Sequence, residues 1–339
     1  MMVAWWGEMI LERNVLLTGI KQGDGLFMEW KTRLTEQLGI KYPIIQGALA
    51  MIGRAKLAAA VSEAGGLGMI TAWTLKTPEK LREEIHLLKS MTDKPFAVNL
   101  SPTVDPALGP MREVAIEEHV PVIETAGYQS SEHGRRIKDA GLVWIHKVQT
   151  VKHALSAEKN GADAVCIMGL EGAGLKSPVM LTTFVSVAMA SRQLDIPVIA
   201  AGGIGNGRTF LGALALGAEA VLMGTAFCAV RECPIAERRK EVLVNADPYN
   251  PIWRDPILHT PAPEDLKNLM EATGTREIMK AAGKAERAGI PKEAGIESAS
   301  LAIGFIDKVP TAKGLIDSII GEAEQILTTQ GIGGWKLAP

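Results

Sequence analysis

The sequence predicts an α/β protein built as a (β/α)8 TIM barrel, and three observations carry that reading. Eight short apolar runs recur along the 339 residues, each followed by a segment with helical character. Two glycine-rich strand ends, Ala200-Ala201-Gly202-Gly203-Ile204-Gly205-Asn206-Gly207 and Met223-Gly224-Thr225, lie close together late in the chain. The G-x-G-x-x-G fingerprint of an open doubly wound sheet is absent after the first strand.

Residues 1–27 have no clean period and no apolar segment with a small-residue cleavage site, so they read as an extension outside the fold. Residues 28–230 read as the barrel. Met28 opens a helix-like stretch, Trp30 to Leu38, ahead of the first strand. Strands are expected at Pro43–Gly47, Leu67–Thr71, Pro95–Leu100, Pro121–Thr125, Leu142–Lys147, Ala164–Met168, Ile196–Ala201 and Ala220–Gly224. They are continuous apolar runs bounded by Gly, Pro or Asp, the pattern of strands buried on both faces. Between them, Lys56–Ala64, Pro78–Ser90, Val151–Asn160 and Gly207–Leu216 are amphipathic and read as helices. Gly161-Ala162-Asp163-Ala164-Val165 echoes Gly217-Ala218-Glu219-Ala220-Val221, and in each the glycine marks a helix end before the next strand. Residues 231–298 are polar and broken by prolines from Pro234 to Pro291, which reads as a helical insertion or lid after the eighth strand. Residues 299–339 return to the barrel and end in a tail, with an amphipathic helix from about Thr311 to Leu327.

Composition narrows the function classes. Apolar residues make up 47% and charged residues 22%, as in ordinary globular proteins. A net charge of −2 leaves no footprint for nucleic acid or an anionic membrane, and no apolar run reaches membrane-spanning length. Arg238-Arg239-Lys240, flanked by Glu237 and Glu241, reads as a solvated helix face. Cys166 reads as core filler, and Cys228 and Cys233 are too widely spaced for a C-x-x-C pair, so no metal site is expected. Three cysteines fit a reducing, cytoplasmic location.

Active sites of such barrels lie at the C-terminal strand ends. Those ends read Gln46-Gly47-Ala48, Asn99-Leu100-Ser101, Thr125-Ala126-Gly127-Tyr128, His146-Lys147, Glu171-Gly172-Ala173-Gly174 and the two glycine-rich loops. Glycines let backbone amides approach an anion, and a following helix adds a favourable dipole, so a phosphate-bearing cofactor is expected. The ring of polar groups, one cation and exposed backbone suits a flat polar heterocycle. Taken singly, Asn99 serves equally as a turn residue and Lys147 as a solvated strand end. His146 faces away from the lumen if Lys147 faces into it, because strand neighbours alternate.

Tyr42-Pro43-Ile44-Ile45-Gln46-Gly47, Ala97-Val98-Asn99-Leu100, His146-Lys147-Val148, Ala200-Ala201-Gly202-Gly203-Ile204 and Met223-Gly224-Thr225 resemble the FMN-binding nitronate monooxygenase family. That family, formerly called 2-nitropropane dioxygenase, includes flavin-dependent enoyl-acyl-carrier-protein reductases and NADH:quinone reductases. The resemblance runs from about Arg33 to Leu327. It implies FMN, with the phosphate on Gly202, Gly203, Gly224 and Thr225. Gly47, Ala48, Asn99, Ser101 and Lys147 would line the ring and ribityl, with Gln46, Gly174 and Ala201 completing the set. A lysine at the N1–C2=O edge would favour the anionic reduced flavin.

The chain departs from the family at its usual proton carrier. Relatives commonly read Glu-Ala-Gly-Gly-His after the sixth barrel strand, whereas here Glu171-Gly172-Ala173-Gly174-Leu175-Lys176-Ser177-Pro178 puts Leu175 in the histidine slot. Met168 replaces a commonly polar residue, and Ser300-Leu301 a common Gly-Gln pair. A placed base contributes roughly a hundred- to ten-thousand-fold in rate, and a leucine cannot carry a proton. Lys176 and Tyr128 are the catalytic candidates in its place. The expected activity is oxidation of alkyl nitronates with O2, nitronates being favoured over neutral nitroalkanes because they need no deprotonation. Two alternatives stand beside it: NAD(P)H-dependent reduction of an enoyl thioester, and a weakly catalytic flavin-binding protein. The expected partners are a small-molecule substrate with O2 or NAD(P)H, neither nucleic acid nor membrane, and the resemblance is compatible with a homodimer.

Overall fold

Eight parallel strands form one sheet in the computed structural model of the protein, which describes residues 16–22, 25–101, 108–127, 130–174, 179–258 and 299–330. A hairpin of β1 (Leu16–Gln22) and β2 (Gly25–Lys31) precedes them. The barrel strands are β3 (Ile44–Gln46), β4 (Gly68–Thr71), β5 (Phe96–Leu100), β6 (Val122–Ala126), β7 (Val143–Val148), β8 (Ala164–Met168), β9 (Val198–Ala201) and β10 (Ala220–Met223). Each lies within a residue or two of its expected position, because both-face burial and glycine or proline punctuation are properties of the local sequence.

The strand order is β3-β10-β9-β8-β7-β6-β5-β4. The remaining seam, between β3 and β4, closes through a parallel bridge from Ile45 to Leu67. The Gln46 N–H donates to Leu67 O and the Leu67 N–H to Ile44 O, both at 2.9 Å. The Gln46 side chain adds a stitch. Its Oε1 accepts from the Met69 N–H at 3.0 Å and its Nε2 donates to Met69 O at 3.1 Å.

Side chains alternate along the strands as the pleat requires. Ile45, Met69, Ala97, Val122, Ile145, Cys166, Ile199 and Leu222 fill the lumen. Ile44, Ile70, Val98, Ile123, Trp144, Val165, Ala200 and Val221 pack against the surrounding helices.

Those helices are α2 (Ala55–Glu63), α3 (Pro78–Lys89), α4 (Leu108–Glu117), α5 (Ser131–Asp139), α6 (Val151–Lys159), α7 (Thr183–Gln193) and α8 (Gly207–Ala215). Thr77, Thr150, Thr182 and Asn206 cap their helices by accepting a backbone N–H, which satisfies a donor that the first turn leaves free. A short α1 (Arg33–Leu38) plugs the N-terminal end of the lumen with Leu34 and Leu38. Arg33 ties the plug to Glu219 and donates to Asp195 O at 2.9 Å.

After β10 come α9 (Thr225–Cys228), α10 (Glu237–Val244) and α11 (Pro251–Leu258), followed beyond residue 298 by a 3-10 turn at Leu301–Phe305 and α12 (Ala312–Gln325). The two helices α10 and α11 occupy the start of the expected insertion, and residues 259–298 lie outside the described ones. Helix α12 packs on α8, where its Glu322 accepts the Gly207 N–H at 2.7 Å.

Two expectations need correction. The helix expected from Trp30 begins only at Arg33, because Met28–Lys31 pair with Leu16–Gly19 in the hairpin and Thr32 caps α1. Lys240 is not part of a solvated face. It is 1% exposed, and its ammonium donates to Arg231 O at 3.1 Å and to Glu237 at 2.8 Å. Arg238 and Arg239 are exposed as expected.

Candidate active site

Parallel register puts the C-terminal ends of neighbouring strands side by side. Asn99 pairs with Glu124, Ala126 with Lys147, Lys147 with Cys166, Met168 with Ala201, and Ala201 with Leu222. The rim of the barrel therefore gathers Asn99, Ser101, Lys147, Ala201, the Gly202-Gly203 turn and the Gly224-Thr225 turn. The last two leave adjacent strand ends.

Backbone geometry at the glycine turns fits an anion cradle. Gly202 and Gly203 have φ of 108° and 72°, a region that L side chains rarely adopt. A Cβ at Gly202 would lie 2.7 Å from Thr183 Oγ1 and 2.9 Å from Gly172 N. The Gly203 and Gly224 amides donate no hydrogen bond among the described residues. Free amides at a glycine turn are the donor set that a phosphate takes. The Thr225 hydroxyl is already engaged, accepting the Ser300 N–H at 2.9 Å, and so anchors the C-terminal segment over the turn. The Leu301 N–H donates to Glu171 O at 3.0 Å and completes that roof.

Two residues that sequence reasoning passed over organise the site. Thr183, at the start of α7, holds its hydroxyl 2.9 Å from Glu171 Oε2, 3.1 Å from Ala201 O and 3.0 Å from Gly202 O. Glu171 Oε2 also accepts the Thr183 N–H at 2.7 Å, so the loop after β8 and the turn after β9 are tied at one point. The second is Glu124, fully buried in β6, whose Oε2 accepts from Asn99 Nδ2 at 2.6 Å. Ser101 Oγ in turn donates to Asn99 Oδ1 at 3.1 Å. Lys147 Nζ stands 3.7 Å from Glu124 Oε1. The signal for Glu124 was a carboxylate inside Val122-Ile123-Glu124-Thr125, since a charge in a strand buried on both faces is costly unless paired.

The other expected residues take varied positions. Gly47 donates to Met223 O at 2.9 Å, and Ala48 and Met168 pack against the lumen. Gln46 is fully buried, with its amide engaged at the β3–β4 seam and, at 2.7 Å, by Gly47 O. Gly174 has a left-handed φ of 99° beside open space. Tyr128, Leu175 and Lys176 lie outside the described residues. Among the described residues no cluster of His, Cys, Asp and Glu is arranged to hold a metal, and no helix is long and apolar enough to cross a membrane.

His146 points outward, opposite to Lys147. Its Nδ1 lies 2.8 Å from Thr125 Oγ1, which also accepts Trp144 Nε1–H at 2.7 Å. Burial lowers its pKa from 6.5 to about 4, only partly offset by the Thr125 backbone. Between these values the unfolded chain binds a proton that the folded one refuses. Stability should therefore be whole above pH 6.5 and fall as the pH drops toward 4, by about 3 kcal/mol when complete. Urea unfolding at pH 7 and pH 4.5 checks this. The wild type should lose more stability across that interval than His146→Gln, and equal losses would show that His146 does not carry the effect.

A family model described as nitronate monooxygenase matches residues 31–250. A hydroxy-methyl-oxo-octahydro-indene-carboxyl-CoA dehydrogenase of Rhodococcus jostii is 31% identical, over 86% of this chain and 96% of its own length. A probable nitronate monooxygenase of Staphylococcus aureus is 32% identical, over 64% of this chain and 73% of its own length. Among solved structures, FabK from Thermotoga maritima superposes with a TM-score of 0.73 at 36% identity, covering 87% of this chain and 96% of that one. The barrel agrees with these likenesses, and the chain is an oxidoreductase that belongs to the nitronate monooxygenase family.

Proposed function

We propose that the chain is an FMN-dependent oxidoreductase that reduces the carbon–carbon double bond of an enoyl thioester with NAD(P)H. The carrying observation is the pair of adjacent glycine turns with free amides above a lumen holding the Glu124–Lys147 pair. FMN, when bound, supplies hydride exchange between a nicotinamide and a carbon substrate. The Gly203 and Gly224 amides would hold its phosphate, joined by those of Gly202 and Thr225. Lys147 would face the polar edge of the ring, with Asn99 and Ser101 beside it. Ala48, Met168 and Ala201 give this part of the rim an apolar wall. Lys176 and Tyr128 remain the candidates for delivering the proton that reduction of a carbon–carbon double bond consumes.

The carboxyl-CoA dehydrogenase supports the thioester, since its name carries an acyl-CoA and it matches 86% of this chain at 31% identity, while the Staphylococcus aureus nitronate monooxygenase matches 64%. A second reading, oxidation of alkyl nitronates with O2, draws on Leu175 in the histidine slot, because a nitronate arrives already deprotonated. Anaerobic mixing of the purified protein with NADH or NADPH, followed by crotonyl-CoA, separates the two. Bleaching of the flavin bands by the nicotinamide and their return on adding the thioester are expected. No response to either nicotinamide, together with O2 uptake on a nitronate that exceeds uptake on the neutral nitroalkane, would replace the first reading by the second. A yellow protein inert to all of these would be a flavin-binding protein without such catalysis.

A further inference from the structure

We propose that Glu124 is a positioning residue: a buried counter-charge that holds Lys147 at the mouth of the lumen and limits the pull of its cation on the flavin. The inference rests on the FMN reading above. Glu124 is fully buried, and its Oε1 accepts no hydrogen bond among the described residues. Lys147 Nζ, on a side chain 20% exposed, stands 3.7 Å from that oxygen. This exceeds hydrogen-bond length, so the pair is held by charge and the ammonium keeps its N–H donors for a ligand.

Packing alone does not require a carboxylate here. A glutamine has the same shape and could still accept the Asn99 amide donor with its carbonyl oxygen. What only glutamate adds is the negative charge, fully buried on β6 with Ile145 as its register partner on β7, where removal from water strengthens its effect on Lys147. The Glu124 charge also reaches Cys166, whose thiol is raised by burial first and by Glu124 second. The same residues therefore define one electrostatic unit across β6, β7 and β8.

Sulfite titration of the FMN-loaded protein tests this. Sulfite adds to the oxidised ring and bleaches its visible band, so its Kd follows the electron demand of the ring rather than stability. Glu124→Gln should keep FMN and bind sulfite about tenfold or more tighter, because Lys147 is no longer neutralised. Lys147→Met should weaken sulfite binding by about tenfold or more, and the double variant should match Lys147→Met within about twofold, since Glu124 acts through the lysine. An FMN-loaded Glu124→Gln protein with an unchanged or weaker sulfite Kd overturns the inference, as does a double variant unlike Lys147→Met. If Glu124→Gln does not fold, Glu124→Asp draws the charge back by one methylene and is read by the same criterion. Wild-type protein that takes up no FMN overturns the cofactor reading and this inference together, whereas FMN uptake with a flat sulfite response overturns this inference alone.

Discussion

Gly202→Ala is expected to yield a folded protein that, on the FMN reading proposed above, holds little flavin. At φ 108° an alanine is strained before any contact is counted. Its Cβ would also lie 2.7 Å from Thr183 Oγ1 and 2.9 Å from Gly172 N. Thr183 cannot swing aside cheaply, because its hydroxyl lies within hydrogen-bond distance of Glu171, Ala201 and Gly202. The turn would relax by moving the Gly203 amide out of line. Strain of this kind, about 1–3 kcal/mol, corresponds to FMN binding weaker by roughly 5- to 150-fold. FMN titration of the stripped protein, followed by quenching of flavin fluorescence, measures it. Gly212→Ala in α8 is the control, since its Cβ meets nothing within 4 Å and alanine is the better helix former. A Gly202→Ala protein with wild-type FMN affinity would remove the anion cradle from the argument.

Gly68→Ala should act on the barrel itself. A Cβ there would lie 1.9 Å from Ala58 O and 2.5 Å from Ala58 C, both backbone atoms of helix α2. No rotamer relieves a collision with helix backbone, and Ala58 is fully buried. Either α2 lifts off the sheet or β4 shifts in register. β4 is also the strand that completes the seam through Leu67 and Met69, so a shift there breaks the Gln46 stitch. A loss of about 4 kcal/mol or more is expected, at the severe end for a single substitution. Urea unfolding monitored by far-UV circular dichroism measures it, and a loss below about 1 kcal/mol would mean that α2 is free to move.

Much of the candidate site is legible in the sequence because its parts are backbone parts. Gly202, Gly203 and Gly224 announce themselves by residue type at the ends of apolar runs. Lys147 does so by being charged where a strand ends. Gln46 shows what residue type leaves out. As a polar residue at a strand end it looked available to a ligand, yet its amide is engaged by Met69, 23 residues away. Lys240 looked solvated inside a charged run, but its side chain is buried and Arg231 O and Glu237 take its ammonium. For Gln46 the deciding partner is one that local pattern does not reveal, and for Lys240 it is the Arg231 carbonyl nine residues back, beside the local Glu237.

The amino-acid order by itself determined the eight-fold strand and helix alternation, the glycine turns and the end of the barrel where the candidate site residues gather. Those follow from period, punctuation and residue type over a few neighbouring positions. Tertiary structure alone decided that Glu124 sits dry beneath Lys147, that Thr183 joins two loops and that Gln46 closes the cylinder. The physical reason is that burial and partnership are set by separate segments that the fold brings together, from 12 residues apart for Thr183 and Glu171 to 25 for Asn99 and Glu124.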